Sequence, residues 1–152
     1  MKLYIDGDAL PNILKPILNR AIDRLEIQTF AIANKPIHIG RSKFIEYILV
    51  GAGADIADDR IVEMVEEGDL VITADIPLAD RIITKNAHAL DHRGKFFTED
   101  NIKHYLSIRN AMQEFRDVGV QTQGPPPFKQ KDAHEFANQL NNFLVKNTKR
   151  IK

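Results

Sequence analysis

Aspartate residues follow three short apolar runs of this sequence, at the points where those runs stop. They are Asp6 and Asp8 after residues 2–5, Asp55, Asp58 and Asp59 after residues 48–50, and Asp75 after residues 70–74. Such runs are typical of buried parallel strands, and the carboxyl ends of parallel strands share one edge of a sheet. Carboxylates gathered at one edge repel each other unless a cation neutralises them. The sequence therefore predicts a site for a hard divalent ion, Mg²⁺ or Mn²⁺.

The first two clusters each leave an alternative open. Asp6 and Asp8 flank a glycine that lets the backbone turn, but either acid could instead cap the helix that follows. Asp58 and Asp59 open a helix, where the helix dipole favours negative charge. Adjacent helical residues point about 100° apart, so one acid faces the site and the other faces solvent. We expect Asp59 to face the site because it shares a helical face with Ile56.

The segment 73–78 is the strongest single motif. A buried strand delivers the hydroxyl of Thr73 and the carboxylate of Asp75 directly before the start of a helix, a position that favours anions. Asp75 has a simpler interpretation as the N-cap of that helix. Asp80 lies further along the helix, where it either reaches the site through a metal-bound water or is a solvated surface acid.

Composition narrows the class of protein. The 152 residues are 43% hydrophobic and include no cysteine. This length suits one domain with a sizeable core. Without cysteine there is no disulfide framework, thiolate zinc site or cysteine nucleophile, so a metal must be held by oxygen or imidazole. No apolar stretch reaches the roughly 20 residues that span a bilayer, and we expect a cytoplasmic protein without membrane partners.

Charge is unevenly distributed although the formal net charge is zero. Residues 1–128 carry 15 basic and 19 acidic side chains, whereas residues 129–152 carry 6 and 2. A basic tail on an acidic, metal-binding body is compatible with holding a polyanion near the metal. The alternative is that the tail only improves solubility.

Apolar periodicity predicts alternating strands and helices. We expect strands over residues 3–5, 27–33, 47–50 and 69–73, a short strand pair within 87–97, and helices over 11–25, 56–66, 76–84, 99–117 and 132–145. This alternation predicts an α/β fold with three layers, α/β/α, around a mainly parallel sheet. We assign residues 1–123 to the domain itself and residues 124–152 to a Pro-rich spacer and a C-terminal helix that packs on it.

Four segments, 5–11, 57–61, 68–79 and 122–128, together resemble the YaiI/YqxD family of bacterial proteins. That family is grouped with PIN-like domains, which are metal-dependent ribonuclease folds. The resemblance implies a PIN-like fold in which Asp6, one of Asp58 and Asp59, and Asp75 are the strand-end acids. The chain departs from the family at two positions: Gly7 stands where alanine is usual, and Leu10 where cysteine is usual. The second departure argues against an obligatory thiol.

The nuclease hypothesis assigns catalysis to Asp6, Asp59 and Asp75. Asp8, Asp58 and Asp80 are further candidate metal ligands, and Thr73 is a candidate hydrogen-bond partner of a carboxylate or phosphate oxygen. No histidine base is needed, and the turn around His92 gives no helical metal-ligand spacing. The candidate phosphate contacts are Arg41, Lys43, Arg81, Lys85, Arg93, Lys95 and Arg109.

Two other functions remain open from the sequence. The Asp6-Gly7-Asp8 segment fits the opening of a haloacid-dehalogenase phosphatase, although Leu10 stands where threonine or valine is usual. A non-catalytic RNA-binding or protein-binding module is the second alternative. Stacking of bases has little support because there is no tryptophan and no interleaving of basic and aromatic residues. The last helix is also compatible with a homodimer, although its apolar pattern would be the same if it packed within one chain.

Overall fold

Six strands form a single sheet in the computed structural model, which describes residues 1–53, 55–122, 124 and 126–148. The strands are β1 (Leu3–Asp6), β2 (Thr29–Ala33), β3 (Ile45–Leu49), β4 (Leu70–Ile72), β5 (His88–Leu90) and β6 (Phe96–Phe97). Their order across the sheet is β3-β2-β1-β4-β5-β6. The first five are parallel and β6 runs antiparallel to β5. The short strand pair expected within residues 87–97 is therefore present.

The described residues form five helices, which cover the two faces of this sheet. They are α1 (Leu14–Leu25), α2 (Ile56–Met64), α3 (Ile76–Thr84), α4 (Glu99–Asp117) and α5 (Gln130–Thr148). Because side chains alternate along a strand, Leu3 and Ile5 pack with α1 and α5 on one face, and Tyr4 packs with α2, α3 and α4 on the other. The predicted three-layer α/β/α fold is confirmed, and the architecture is consistent with a PIN-like domain.

The order of the strands places β1 between β2 and β4, at the centre of the predicted metal site. β1 pairs with β2 on one side and with β4 on the other, with Asp6 level with Ile32 and Ile5 level with Ile72. The chain leaves β1 and β4 in opposite directions across the sheet, which makes this point a topological switch. Ligands of open α/β sheets bind in the crevice outside the strand ends at such a point. Asp6 ends β1, and Thr73 and Asp75 follow β4 directly.

The described residues between β2 and β3 form no helix. Residues 34–44, here called the β2–β3 loop, cross one face of the sheet instead, and Ile37, Ile39 and Phe44 pack into the core beneath them. The hydroxyl of Ser42 donates to Oδ1 of Asp23 at 3.0 Å, and the Ser42 amide donates to Oδ1 of Asn19 at 3.0 Å. The loop is therefore tied to α1 by hydrogen bonds as well as by apolar contact.

The last helix supplies part of the core. Ala133, Phe136, Leu140 and Leu144 of α5 are buried in the same cluster as α1 and the sheet. The start of α5 is fixed by Arg93, whose Nη1 lies 2.8 Å from Oδ2 of Asp132 and whose Nη2 donates to the carbonyl of Pro126 at 2.6 Å. Pro125 of the Pro-rich spacer lies outside the described residues. The division at residue 123 stays a prediction.

The second half of α4 projects from the rest of the molecule. Residues 107–121 are all exposed, and they include the apolar side chains of Ile108, Met112, Phe115, Val118 and Val120. Ile102, in the first half of the helix, is its buried residue among those that the structure describes, and α4 packs against α3. No helix formed by the described residues is long and apolar enough to cross a membrane.

Candidate functional site

A cavity of about 400 Å³ opens at the carboxyl ends of β1, β2, β4 and β5. Four carboxylates from three distant parts of the chain meet there, together with one amide and one imidazole. The polar lining residues are Asp6, Asp8, Asn34, Asp58, Asp75 and His92. The fold thus brings together acids that the sequence separates by nearly 70 residues.

Thr73 fixes two of these acids. It is fully buried directly after β4, and its Oγ1 donates to Oδ2 of Asp6 at 2.8 Å. The same Oγ1 accepts a hydrogen bond from the backbone amide of Asp75 at 3.0 Å. One hydroxyl therefore orients the carboxylate of Asp6 and the backbone that carries Asp75 relative to each other.

Asp75 and Asp8 each hold a backbone amide as well as lining the cavity. Oδ1 of Asp75 accepts from the amide of Leu78 at 3.0 Å, so Asp75 is the N-cap of α3. Oδ1 of Asp8 accepts from the amide of Asn34 at 2.8 Å. Neither Asp6 nor Asp8 caps α1, whose N-cap is Ile13. The cap interpretation thus holds for Asp75, and a place in the cavity holds for all three acids.

At the start of α2 the structure places Asp58, and not the favoured Asp59, at the cavity. Asp59 is exposed and forms a salt bridge of 2.9 Å with Arg81. The preference for Asp59 assumed that Ile56 faces the core, but Ile56 is 43% exposed and the buried residues of α2 are Ala57 and Ile61. The helix is therefore rotated so that Asp58 points inward.

The remaining candidates lie elsewhere. Asp80 is on α3 and does not line the cavity. Most of the proposed phosphate contacts have other partners: Arg81 pairs with Asp59, Arg93 with Asp132, Lys85 with the carbonyl of Val62, and Lys95 lies over the ring of Tyr105. Arg109 is exposed on the projecting half of α4, and Arg41 and Lys43 are exposed on the β2–β3 loop.

The carboxylates of the cavity disturb one another electrostatically. Burial raises the pKa of Asp6, and the negative charges of Asp75 and Asp8 add to that effect while the hydrogen bond from Thr73 opposes it. Burial also raises the pKa of Asp58 to about 7, with repulsion from Asp75, Asp6 and Asp55 as the next causes. A divalent cation would remove this repulsion, because opposite charge favours the ionised form.

The donor set fits a hard cation. Carboxylate and amide oxygens are the ligands that Mg²⁺ and Mn²⁺ prefer. In addition, Nε2 of His92 is buried without a hydrogen-bond partner among the described residues, and a buried polar atom of that kind calls for a ligand or a water. Within the same residues, no three acidic or imidazole side chains are close enough to hold an ion as they stand. Binding would therefore require the mutually repelling carboxylates to close around the ion.

His92 and Asn34 are site residues that the sequence analysis missed. The turn predicted around His92 is present, since Oδ1 of Asp91 accepts from the amides of Arg93 and Lys95, both at 2.9 Å. However, this turn follows β5 at the same sheet edge as the acids, and His92 is only 8% exposed. Burial lowers the pKa of His92 and so favours the neutral imidazole. The available signal was position alone, because each residue closely follows a strand.

Comparisons with known proteins agree on one family. A family model described as "Uncharacterized BCR, YaiI/YqxD family" matches residues 4–146. A UPF0178 protein of Sulfurimonas denitrificans is 64% identical over 151 residues, covering 99% of this chain and 100% of the relative. One of Nitratiruptor sp. is 62% identical over 152 residues, covering 100% of both. One of Photobacterium profundum is 50% identical over 150 residues, covering 99% and 100%. No solved structure matches the chain.

Proposed function

We propose that this chain, which belongs to the YaiI/YqxD family, is a metal-dependent nuclease that hydrolyses phosphodiester bonds of RNA. The observation that carries the proposal is the convergence of Asp6, Asp8, Asp58 and Asp75 on one open cavity. Two of these carboxyl groups have raised pKa values because they are buried beside other acids. Raised carboxyl pKa values of this kind are typical of sites that bind a ligand or catalyse a reaction.

The residues divide into those that would bind a cation and those that position them. Asp6, Asp58 and Asp75, with Asp8 assisting, would hold Mg²⁺ or Mn²⁺, and Asp58 replaces Asp59 in this role. When bound, such an ion activates water and stabilises the charge that develops on a phosphate. The Thr73 hydroxyl keeps Asp6 in position, and the Leu78 amide does the same for Asp75. Positioning hydrogen bonds of this kind commonly support metal ligands.

The neighbouring acids at the start of α2 provide a matched test. We expect chelator-treated protein to bind Mn²⁺ in a calorimetric titration, and Asp58→Asn to abolish that binding. Asp59→Asn should retain it, because Asp59 is exposed and paired with Arg81. The same samples are then incubated with single-stranded RNA and Mn²⁺. Cleavage should follow the binding result variant by variant, and Mg²⁺ titrated in parallel identifies the preferred ion.

The alternatives appear as other outcomes of that experiment. Wild-type protein that binds neither ion would sink the nuclease proposal. RNA binding that is indifferent to metal and to Asp75→Asn favours a non-catalytic RNA-binding module. An aspartyl-phosphate trapped on Asp6 by a fluoride analogue favours the phosphatase.

A cytoplasmic location stays a prediction. A homodimer through the last helix would have to use the exposed side of α5, since its apolar face is buried.

A further inference from the structure

A second cavity shares a segment of backbone with the carboxylate cavity. It is a groove of about 270 Å³ between the β2–β3 loop and the ends of β2 and β3, lined among others by Lys35, Pro36, Ile37, His38, Tyr47 and Leu49. Ala33 and Lys35 line this groove, whereas Asn34 between them lines the carboxylate cavity. Because successive Cα atoms are only about 3.8 Å apart, the two cavities lie next to each other along this segment.

The wall of the groove presents flat and apolar surface to solvent. The rings of His38 and Tyr47 are stacked, with their centroids 6.1 Å apart and 23° between their planes. Tyr47 is 39% exposed, and Leu49, which follows on the same strand, is 64% exposed. Lys35 at the rim is exposed and adds positive charge. Aromatic faces beside a cation are the features on which unpaired bases stack while the backbone phosphate is neutralised.

Hydrogen bonds hold Tyr47 in place. Its hydroxyl accepts from the amide of Ile39 at 3.0 Å and from that of Gly40 at 3.2 Å. The same hydroxyl donates to the carbonyl of Gly40 at 3.2 Å. The β2–β3 loop also packs closely against the turn that carries Asp6 and Asp8, since a Cβ added at Gly7 would collide with Cδ1 of Ile37. A platform fixed in this way loses little conformational freedom when a ligand stacks on it.

We propose that this groove is a subsite for a base of a single-stranded RNA, adjacent to the phosphate bound at the carboxylate cavity. The placement of this base next to a bound phosphate rests on the function proposed above, whereas the stacking of the base itself needs no metal. A paired base cannot present its face in this way, because it is already stacked within the duplex. A peptide strand added to the outer edge of β3 would explain neither the stacked rings nor the shared segment with the carboxylates.

The experiment is fluorescence anisotropy of a labelled oligouridine with full-length protein in excess chelator. A stacked base contributes about 1–3 kcal/mol, so Tyr47→Ala should weaken binding by about 5- to 150-fold. Tyr47→Phe keeps the ring but removes the hydroxyl that accepts from the Ile39 and Gly40 amides, so its affinity should lie between those of wild type and Tyr47→Ala. Phe115→Ala is the matched control, because Phe115 is an exposed aromatic residue on α4. A competing RNA duplex should not displace the oligouridine.

Two further measurements separate this inference from the nuclease proposal. Lys35→Glu should also weaken binding and reduce its salt dependence, which keeps the test decisive if Tyr47→Ala fails to fold. Oligouridine binding that responds to Tyr47→Ala and Lys35→Glu, in protein that never cleaves RNA, supports the groove and overturns the nuclease. Cleavage with an unchanged KM in Tyr47→Ala supports the nuclease and overturns the groove. Wild-type protein that binds no oligouridine, or variants that bind as wild type does, also overturn it.

Discussion

Among single residues, Asp58 has the most consequential environment. Its carboxyl group lies half-buried beside Asp75, Asp6 and Asp55, and its pKa is raised from 3.8 to about 7. The folded state therefore holds a proton that the unfolded chain releases at lower pH. Because stability falls with rising pH wherever the folded state binds more protons, ion-free protein should lose stability as the pH rises through about 7.

The same shift makes metal binding depend on pH. A metal ion competes with the proton on Asp58, so the affinity for Mn²⁺ should increase as the pH rises through about 7. Calorimetric titrations at pH values on both sides of this point measure the effect. Urea unfolding of the ion-free protein is the companion measurement. At a pH above about 7, Asp58→Asn should raise the urea concentration at the midpoint of unfolding. Asp59→Asn is the control and should leave that midpoint unchanged. An affinity that does not vary over this range would contradict the raised pKa.

Removing the hydroxyl of Thr73 should lower the free energy of unfolding. Thr73→Val keeps the shape of the side chain but leaves the carboxylate of Asp6 and the amide of Asp75 without that partner. Unsatisfied buried polar groups cost about 1–3 kcal/mol in the free energy of unfolding. Urea unfolding monitored by circular dichroism measures the difference. Thr73→Ser is the control, because it retains the hydroxyl; an equal loss in both variants would assign the effect to packing.

Among the elements, α3 combines a structural and a proposed chemical role in one residue. Asp75 lies between β4 and α3, and it caps α3 by accepting a hydrogen bond from the Leu78 amide. Asparagine caps helices about as well as aspartate, whereas alanine does not cap them. The two roles can therefore be separated by substitution.

We expect Asp75→Asn to retain stability and lose Mn²⁺ binding. Asp75→Ala should lose both, with a cost of about 1 kcal/mol in the free energy of unfolding. Thermal unfolding and calorimetric titration on the same two variants provide the measurements. If Asp75→Asn binds Mn²⁺ as wild type does, the residue is only a helix cap.

At the scale of the whole molecule, α5 ties the C-terminal segment to the rest of the fold. Phe136 is fully buried between α5 and the sheet. From this packing we propose that residues 1–123 and the last helix unfold together as one cooperative unit. The alternative is that α5 detaches first and leaves the remainder folded.

Phe136→Ala tests that proposal. Removing a buried phenylalanine costs about 3–5 kcal/mol, and in a cooperative unit the whole unfolding transition shifts by that amount. Circular dichroism and tyrosine fluorescence should then report coincident transitions. Phe115→Ala, at an exposed position, should change the free energy of unfolding by about 0.5 kcal/mol or less. Two separated transitions in the Phe136 variant would show that α5 unfolds independently.

The sequence by itself determined the order and type of the elements, because local patterns encode them. The bounds predicted for α3 and α4 agree with the structure, since Asp75 and Thr98 are N-caps and apolar spacing marks each helix. The arrangement of layers also followed, because buried parallel strands need helices on both faces. The acids at the ends of β1 and β4 were expected to meet for the same reason, and both line one cavity.

Tertiary structure alone decided which side chains share that cavity. The rotation of α2 selects Asp58 over Asp59, and it depends on packing against the sheet, where Ala57 and Ile61 are buried. Asn34 and His92 reach the cavity only because β2 and β5 end at the same edge. The stacked rings of His38 and Tyr47 depend on a loop that replaces a helix. Contacts between residues far apart in sequence are set by strand order and helix rotation, which no local pattern specifies.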